Sequence, residues 1–413
     1  MNLQDRFLKY IEFDTMADTE AGEKGVVPSS PGQKILADVL FEEVKSFGVT
    51  DAVIDEKCFI YGSIPSNIEG EEQPPTLGFI AHFDTATTFP GPGKTYRIVE
   101  NYNGGVIELC KGVQLDPKNI SALADSVGED LIVTNGKTLL GGDDKAGVAE
   151  IMTAIEYIMT HPELKHGRIA FAFTPDEEIG GSMKYFDTDK FSADVAYTLD
   201  GEEFGTLEYE SFCNSAAIIE IEGISAHPGY AKNSMVNALN IASEFHQYIP
   251  AWERAEHSEG YEGFYHLVMM EGNPQHCKTA YLLKDFEKSG LEKREEKIRA
   301  IADLLNKDYG EGRVSLSFVR GRMNMAELIE EHAELIENAK EAIESLGAVP
   351  SVTPLRGGTD GVALTFQGIP CPNLGTGAYN HHAVTEFVNL HKMEKCKELI
   401  LKLIDIFAEE KNV

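Results

Sequence analysis

A chain of 413 residues, 42% apolar and 25% charged with only 17 prolines, exceeds what one hydrophobic core usually supports; it excludes a small stapled module and a disordered chain, and predicts two domains or one with a large insertion. The 36 Lys plus Arg stand against 68 Asp plus Glu, a formal net charge of −32. A surface of that sign repels phosphate backbones and anionic lipid, so neither nucleic acid nor a membrane is expected as a partner.

The first residues, MNLQDRFLKYIEF, predict an amphipathic helix and lack the continuous apolar core of a secretory signal. Residues 6–47 read as helical, broken by the loop GEKGVVPSSPGQ, where Ser29-Ser30-Pro31 marks a helix entry. An αβ alternation follows. The apolar run 77–81 ends in His82 and Asp84, and the run 168–173 ends in Pro175, Asp176, Glu177 and Glu178. Between them Gly141-Gly142-Asp143-Asp144 opens the helix AGVAEIMTAIEYIMTH, and a third run, 195–199, ends in Asp200. Near-continuous apolar strands alternating with helices predict an α/β fold, with a mixed, largely parallel sheet flanked by helices on both faces.

The period changes after about residue 208. Residues 215–222 alternate apolar and polar, followed by a helix over 236–248, a strand around 281–286, a charged amphipathic helix over 291–308 and a strand over 313–319. That spacing predicts an inserted α+β module with a four-stranded antiparallel sheet. The αβ pattern resumes after Met325 with a long helix, the loop RGGTDG, a strand leading to Cys371-Pro372-Asn373 and a final helix over 392–408. The predicted division is a larger α/β domain of residues 1–208 and 326–413, interrupted by an inserted domain of residues 209–325. No stretch approaches the roughly 20 apolar residues of a membrane helix. The six cysteines are scattered and form no CxxC, which suggests neither a disulfide framework nor a thiolate zinc site and fits a reducing cytoplasm.

Ligand sites in open α/β sheets lie beyond the carboxyl ends of the strands, and each strand above ends there in a metal-type side chain. His82 and Asp84 are two apart and face the same way on extended chain, so one can coordinate while the other orients it; a surface turn is the alternative. Two ionised carboxylates at the end of an apolar strand, Glu177 and Glu178, are costly without a cation or a proton. Neighbours on extended chain point apart, so one can bind metal while the other acts as a general base. Asp143 fits either a helix cap or an ion ligand drawn in by the close Gly141-Gly142 approach. Asp200 fits an oxygen ligand or a turn. His381-His382 is the only adjacent pair among 12 histidines, and His227 in SAHPG reads as a loop histidine fixed by the following proline. Arg356 in RGGTDG suits a guanidinium receiving a carboxylate bidentately, or a surface loop.

Taken together, GFIAHFDTA, LLGGDDKAGVAEIMTA, AFTPDEEIGG, YTLDGE, SAHPG, YEGFYHL, RGGTDG and NHHAVTEFV resemble the M20 metallopeptidase family, and within it the tripeptide aminopeptidases, over nearly the whole chain. The resemblance implies a zinc-exopeptidase-like catalytic domain with an inserted lid domain and two zinc ions per chain. His82 and Asp200 would hold one, Glu178 and His382 the other, with Asp143 bridging them. Cobalt or manganese would suit the same N and O donors. Glu177 would be the general base, Asp84 the residue that orients the site, and His227 the histidine that steadies the oxyanion. Arg356, Lys284 and Asn324 would bind substrate. The implied activity is removal of the N-terminal residue from short peptides, chiefly tripeptides, by a cytoplasmic monomer or homodimer. Dipeptidase, carboxypeptidase and aminoacylase activities share the ligand set, and a peptide-binding protein without catalysis is the remaining alternative. The chain departs from the family pattern at Lys284, where an arginine is expected, at Met323, where a tyrosine usually precedes the asparagine, and at Ala383, where a glycine usually follows the ligand histidine. These departures bear on substrate preference and turnover.

Overall fold

The structure is a computed structural model describing residues 1–71, 73–91 and 96–409. It divides into two compact units. One comprises Met1–Tyr209, Leu328–Val352 and Thr359–Val413, the other Glu210–Glu327 with Thr353–Gly358. The short segment Thr353–Gly358, expected with the flanking domain, therefore packs with the inserted residues: Leu355 N–H donates to Glu210 O at 2.9 Å, and Ser211 bridges Leu355.

The larger unit is built on a mixed sheet. Among the described residues its strands run Val53–Ile54, Ile60–Ile64, Ile169–Thr174, Leu77–His82, Val195–Gly201, Asn373–Gly375, Thr206–Glu208, Ser351–Val352. The four strands from Ile169–Thr174 to Asn373–Gly375 are mutually parallel, with His82 level with Thr174 and Leu374 level with Leu199. Their carboxyl ends consequently share one edge. Both LGFIAH and IAFAFT are buried along their whole length, as expected for strands covered on two sides. The two covers can be told apart at neighbouring positions. A Cβ on Gly147 of the helix Gly142–Thr160 would stand 3.0 Å from Leu199 Cβ, and one on Gly361 of the helix Asp360–Thr365 would stand 2.6 Å from Thr198 Cγ2. Adjacent strand residues point to opposite faces, so these helices sandwich the sheet, and neither glycine leaves room for a side chain.

A second, antiparallel sheet orders Ala378–Tyr379, Phe387–Asn389, Leu131–Val133 and Arg97–Val99. It packs Leu131, Val133, Tyr379 and Phe387 into a separate apolar cluster with Tyr102, Leu115 and Leu123. Its first connection carries His381 and His382. Short strands of two or three residues give no readable period, which is why the alternation along the sequence does not announce this sheet.

In the inserted unit the strands Phe264–Gly272, His276–Asp285, Cys213–Glu222 and Val314–Arg320 pair antiparallel in that order. The helices Ala238–Gln247 and Lys288–Tyr309 supply Ile241, Phe245, Leu291, Ile298 and Leu305 to its core. The strand Phe264–Gly272 escapes a period-2 reading because its register shifts between Leu267 and Met269. Two helical expectations also need correction. Residues 6–47 contain Leu3–Tyr10, Thr19–Glu23 and Pro31–Ser46, the second opened by Asp18, which accepts from Ala21 N–H. The helix after Met325 is interrupted at His332, whose φ and ψ of −124° and 54° are not helical, before Ala333–Ser345.

Candidate metal centre

At the carboxyl edge of the parallel strands the side chains converge. His82 Nε2 lies 3.0 Å from Asp143 Oδ1 and 3.4 Å from Asp200 Oδ1. His382 Nε2 lies 2.9 Å from Glu178 Oε2 and 3.1 Å from Asp143 Oδ2. Two donor groups result, His82 with Asp143 and Asp200, and Asp143 with Glu178 and His382, the donor atoms of each lying within 4.8 Å of one another. They share Asp143, which turns one oxygen to each. Two ligands held about 2.1 Å from a tetrahedral cation stand about 3.4 Å apart, so these spacings fit one divalent ion per group after small outward shifts. A second observation agrees: Glu178 Oε1 is buried without a hydrogen-bond donor, and its side chain is only 4% exposed. A cation would satisfy it.

The electrostatics carry the same message. Burial pushes the Glu178 carboxyl up to about 7, with Asp143 adding to the rise. Burial likewise raises Glu177 well above the ordinary carboxylate range, reinforced by Asp200, Asp360 and Glu178 and opposed by His82. Burial alone would lower His82, but Asp200, Asp143 and Asp84 outweigh it and hold the imidazole well above its usual value. Hydrogen bonds to Asp143 and Glu178 carry His382 to about 10. In the metal-free protein protons thus occupy the places that divalent cations would take, and metal uptake would release them.

Local chain geometry delivers each group. Asp143 opens the helix Gly142–Thr160 after Gly141, whose φ of 83° suits glycine. Glu386, almost fully buried, accepts from the backbone N–H groups of Leu140 at 2.6 Å, Gly141 at 2.9 Å and Asp143 at 3.0 Å. Beyond the strand Ile169–Thr174 the chain turns at Asp176, at φ 56°, whose carboxylate accepts from Ser29 N–H at 2.7 Å and Gln33 Nε2 at 2.7 Å. Glu177 and Glu178 follow, and their N–H groups donate to Asp84 Oδ1 at 3.0 Å and Oδ2 at 3.2 Å. Asp84 Oδ1 also approaches His82 Nδ1 at 3.3 Å, so one carboxylate touches both sides of the centre. Glu177 belongs to neither donor group and stays partly exposed, open to water.

The remaining candidates lie in the inserted unit and are occupied there. His227 is exposed, its Nδ1 accepting from Gly229 N–H at 3.1 Å and its ring against Tyr230. Arg356 is hydrogen-bonded within its own unit. Its guanidinium donates to Ser258 Oγ at 2.8 Å and to the carbonyls of Gly260 and Glu262, and lies over the Phe212 ring. The Lys284 ammonium lies over the same ring at 5.2 Å. Asn324 is a structural clasp: its Oδ1 accepts from Ser211 N–H at 2.8 Å and Ala326 N–H at 3.0 Å, while Nδ2 donates to Phe286 O at 3.2 Å. These bonds tie the chain entering the unit to the chain leaving it. Asn324→Ala is expected to lower stability by about 1–3 kcal/mol, the range for leaving backbone donors unpaired, as measured by urea denaturation.

Sequence reasoning also passed over Glu386, Asp144, Glu202 and Asp360. None stands at a ligand spacing, and the only available signal was that Glu386, Asp144 and Glu202 each lie inside a motif that already holds a ligand.

Residues 136–406 match the family described as peptidase family M20/M25/M40. A relative from Shouchella clausii (strain KSM-K16), named peptidase T, is 46% identical over 405 residues, covering 98% of each chain. Among solved structures, aminopeptidase PepT from Bacillus cereus ATCC 10987 superposes with a TM-score of 0.75 at 22% identity, covering 98% of both chains. The YXEP protein of Bacillus subtilis, described as a dinuclear metal binding peptidase from the M20 family, gives a TM-score of 0.62 at 14% identity over 98% of both chains. With more than half of the chain matched by the family and a relative of this identity over almost its whole length, the protein belongs to peptidase family M20/M25/M40.

Proposed function

We propose that the chain is a metal-dependent aminopeptidase that removes the N-terminal residue from short peptides, tripeptides above all. The observation that carries this reading is the pair of donor groups sharing Asp143, and the 46% identity to a peptidase T supports it. His82 and Asp200 would hold one divalent cation, Glu178 and His382 the other, with Asp143 between; an all N and O donor set suits zinc, with cobalt and manganese as substitutes. Such ions supply Lewis-acid polarisation of the scissile carbonyl and a more acidic water.

The protein's own groups do the rest. Glu177, ligating in neither group and open to water, takes the proton of the attacking water and returns it to the leaving amine. Asp84 fixes the backbone of Glu177 and Glu178 while standing against the His82 ring. His227 is the residue proposed to steady the oxyanion. The substrate's α-amino group meets the carboxylates of the centre. Its carboxylate meets the paired positive charges of Lys284 and Arg356, which flank the Phe212 ring at 5.2 Å each. Among the described residues no helix is long and apolar enough to cross a membrane, and six free cysteines support a reducing compartment such as the cytoplasm.

Hydrolysis of a panel by the metal-loaded protein tests the reading. Free tripeptides are expected to lose their first residue fastest, dipeptides more slowly, and N-blocked tripeptides and N-acetyl amino acids hardly at all. Preferred cleavage of blocked or acetylated substrates would transfer the assignment to an aminoacylase or carboxypeptidase.

A further inference from the structure

We propose that Glu386 is a positioning residue for the shared carboxylate of Asp143, setting metal affinity without touching metal or substrate; this rests on the metallopeptidase reading above. Three features of its surroundings lead there. Its Oε1 accepts from Asp143 N–H at 3.0 Å, and its Oε2 from Leu140 and Gly141 N–H at 2.6 and 2.9 Å, so a single side chain saturates the turn that presents the shared ligand. The turn is also pressed onto it: a Cβ on Gly142 would stand 3.0 Å from Glu386 Oε1, from Ala378 Cβ and from Val388 Cγ2. Finally, Glu386 precedes the strand Phe387–Asn389, which is locked between Ala378–Tyr379 and Leu131–Val133. A rigid sheet therefore dictates where Asp143 sits.

The same few residues carry His382. The loop between Ala378–Tyr379 and Phe387–Asn389 holds His382 four positions before Glu386. Glu386 thus fixes the distance between the segment bearing His382 and the turn bearing Asp143, the two ligands whose atoms lie 3.1 Å apart. Other carboxylates in the centre use the same construction. Asp144, beside Asp143, accepts from His82 N–H at 3.1 Å, and Glu202, near Asp200, accepts from Asn380 N–H at 3.0 Å. Each is carried next to one ligand and grips the backbone at or near another. Glu386 makes the most such bonds, which singles it out.

A buried carboxylate at a helix start could instead be only a cap, contributing equally to the metal-free and metal-loaded folds. The two roles separate in metal binding. Glu386→Gln keeps the shape but turns an amide NH₂ towards backbone donors on one side. Metal affinity, measured by competition between the full chain and a chromophoric chelator for cobalt or zinc, is expected to fall about 10- to 100-fold, the range for groups that orient ligands. The visible absorption of the cobalt-loaded protein is expected to change, and melting temperature to drop further with metal than without. Glu386→Asp retains the charge but is one methylene short of the turn, and is expected to weaken binding in the same direction; it takes the place of the glutamine variant if that does not fold. Unchanged affinities and cobalt spectra in a folded variant, with stability lost equally in both metal states, would reduce Glu386 to a cap. An unaltered chain that takes up no cobalt would overturn the metallopeptidase reading and this inference with it.

Discussion

Glu177→Gln is expected to lower kcat by about 10²- to 10⁴-fold, the usual size of a general-base contribution, while two metal ions per chain are retained and KM moves little. The geometry makes this a clean substitution. The backbone of Glu177 is fixed by its N–H donating to Asp84 Oδ1 at 3.0 Å, a contact that an amide side chain leaves intact. Neither donor group includes Glu177, so no metal bond is removed. In the metal-free chain, burial and the neighbouring Asp200, Asp360 and Glu178 favour the neutral form of this carboxyl, so the fold accepts an uncharged amide there before metal is bound. What the amide lacks is basicity. The variant is checked by elemental analysis for metal alongside steady-state kinetics on a free tripeptide. Loss of metal from Glu177→Gln would make the residue a ligand, and full activity would pass the proton to another group.

Legibility in the sequence followed the length of the signal. The runs around His82, Glu178 and Asp200 were readable because each ends a strand buried on both faces, where almost any polar side chain stands out against apolar neighbours. His382 could not be joined to them from spacing. Its position depends on a sheet of two- and three-residue strands and on pairing between residues 387–389 and 131–133, a separation no local pattern encodes. The resemblance to a family supplied that link. The strand Phe264–Gly272 was hidden by a bulge, and the interruption at His332 by a helical period continuing through it.

The groups that orient the ligands were illegible for a different reason. Glu386, Asp144 and Glu202 act by accepting backbone N–H bonds, and backbone donors leave no trace in a sequence. Arg356 and Asn324 show the converse. Substrate contacts were expected of Arg356 from its loop and of Asn324 from the family resemblance, and both side chains make hydrogen bonds within their own unit, to the Ser258 hydroxyl and to main-chain groups. A side chain suited to bind a ligand is equally suited to close a loop, and residue type alone does not separate the two roles.

Asp143→Asn is expected to have the largest effect on metal content, exceeding the about 10- to 100-fold loss of affinity typical of orienting groups, because it removes both a shared ligand oxygen and a negative charge. Its two carboxylate oxygens stand 3.0 Å from His82 Nε2 and 3.1 Å from His382 Nε2, and an amide offers one oxygen for two ions. Bound metal should fall from two ions towards one, with tripeptide hydrolysis lost in parallel. A second signature is available without any metal. The His382 imidazole is carried to about 10 by its hydrogen bonds to Asp143 and Glu178. Removing one of two negative partners favours the neutral ring, so the titration of His382 in the metal-free variant, followed by NMR, must move down towards the ordinary histidine range. A His382 titration that stays in place would mean that Asp143 does not face it in solution, and two ions retained at full affinity would mean that Asp143 does not join the two groups. Because the His382 titration reads the carboxylate alone and the metal content reads ligation, together they separate the placement of Asp143 from its role as a ligand.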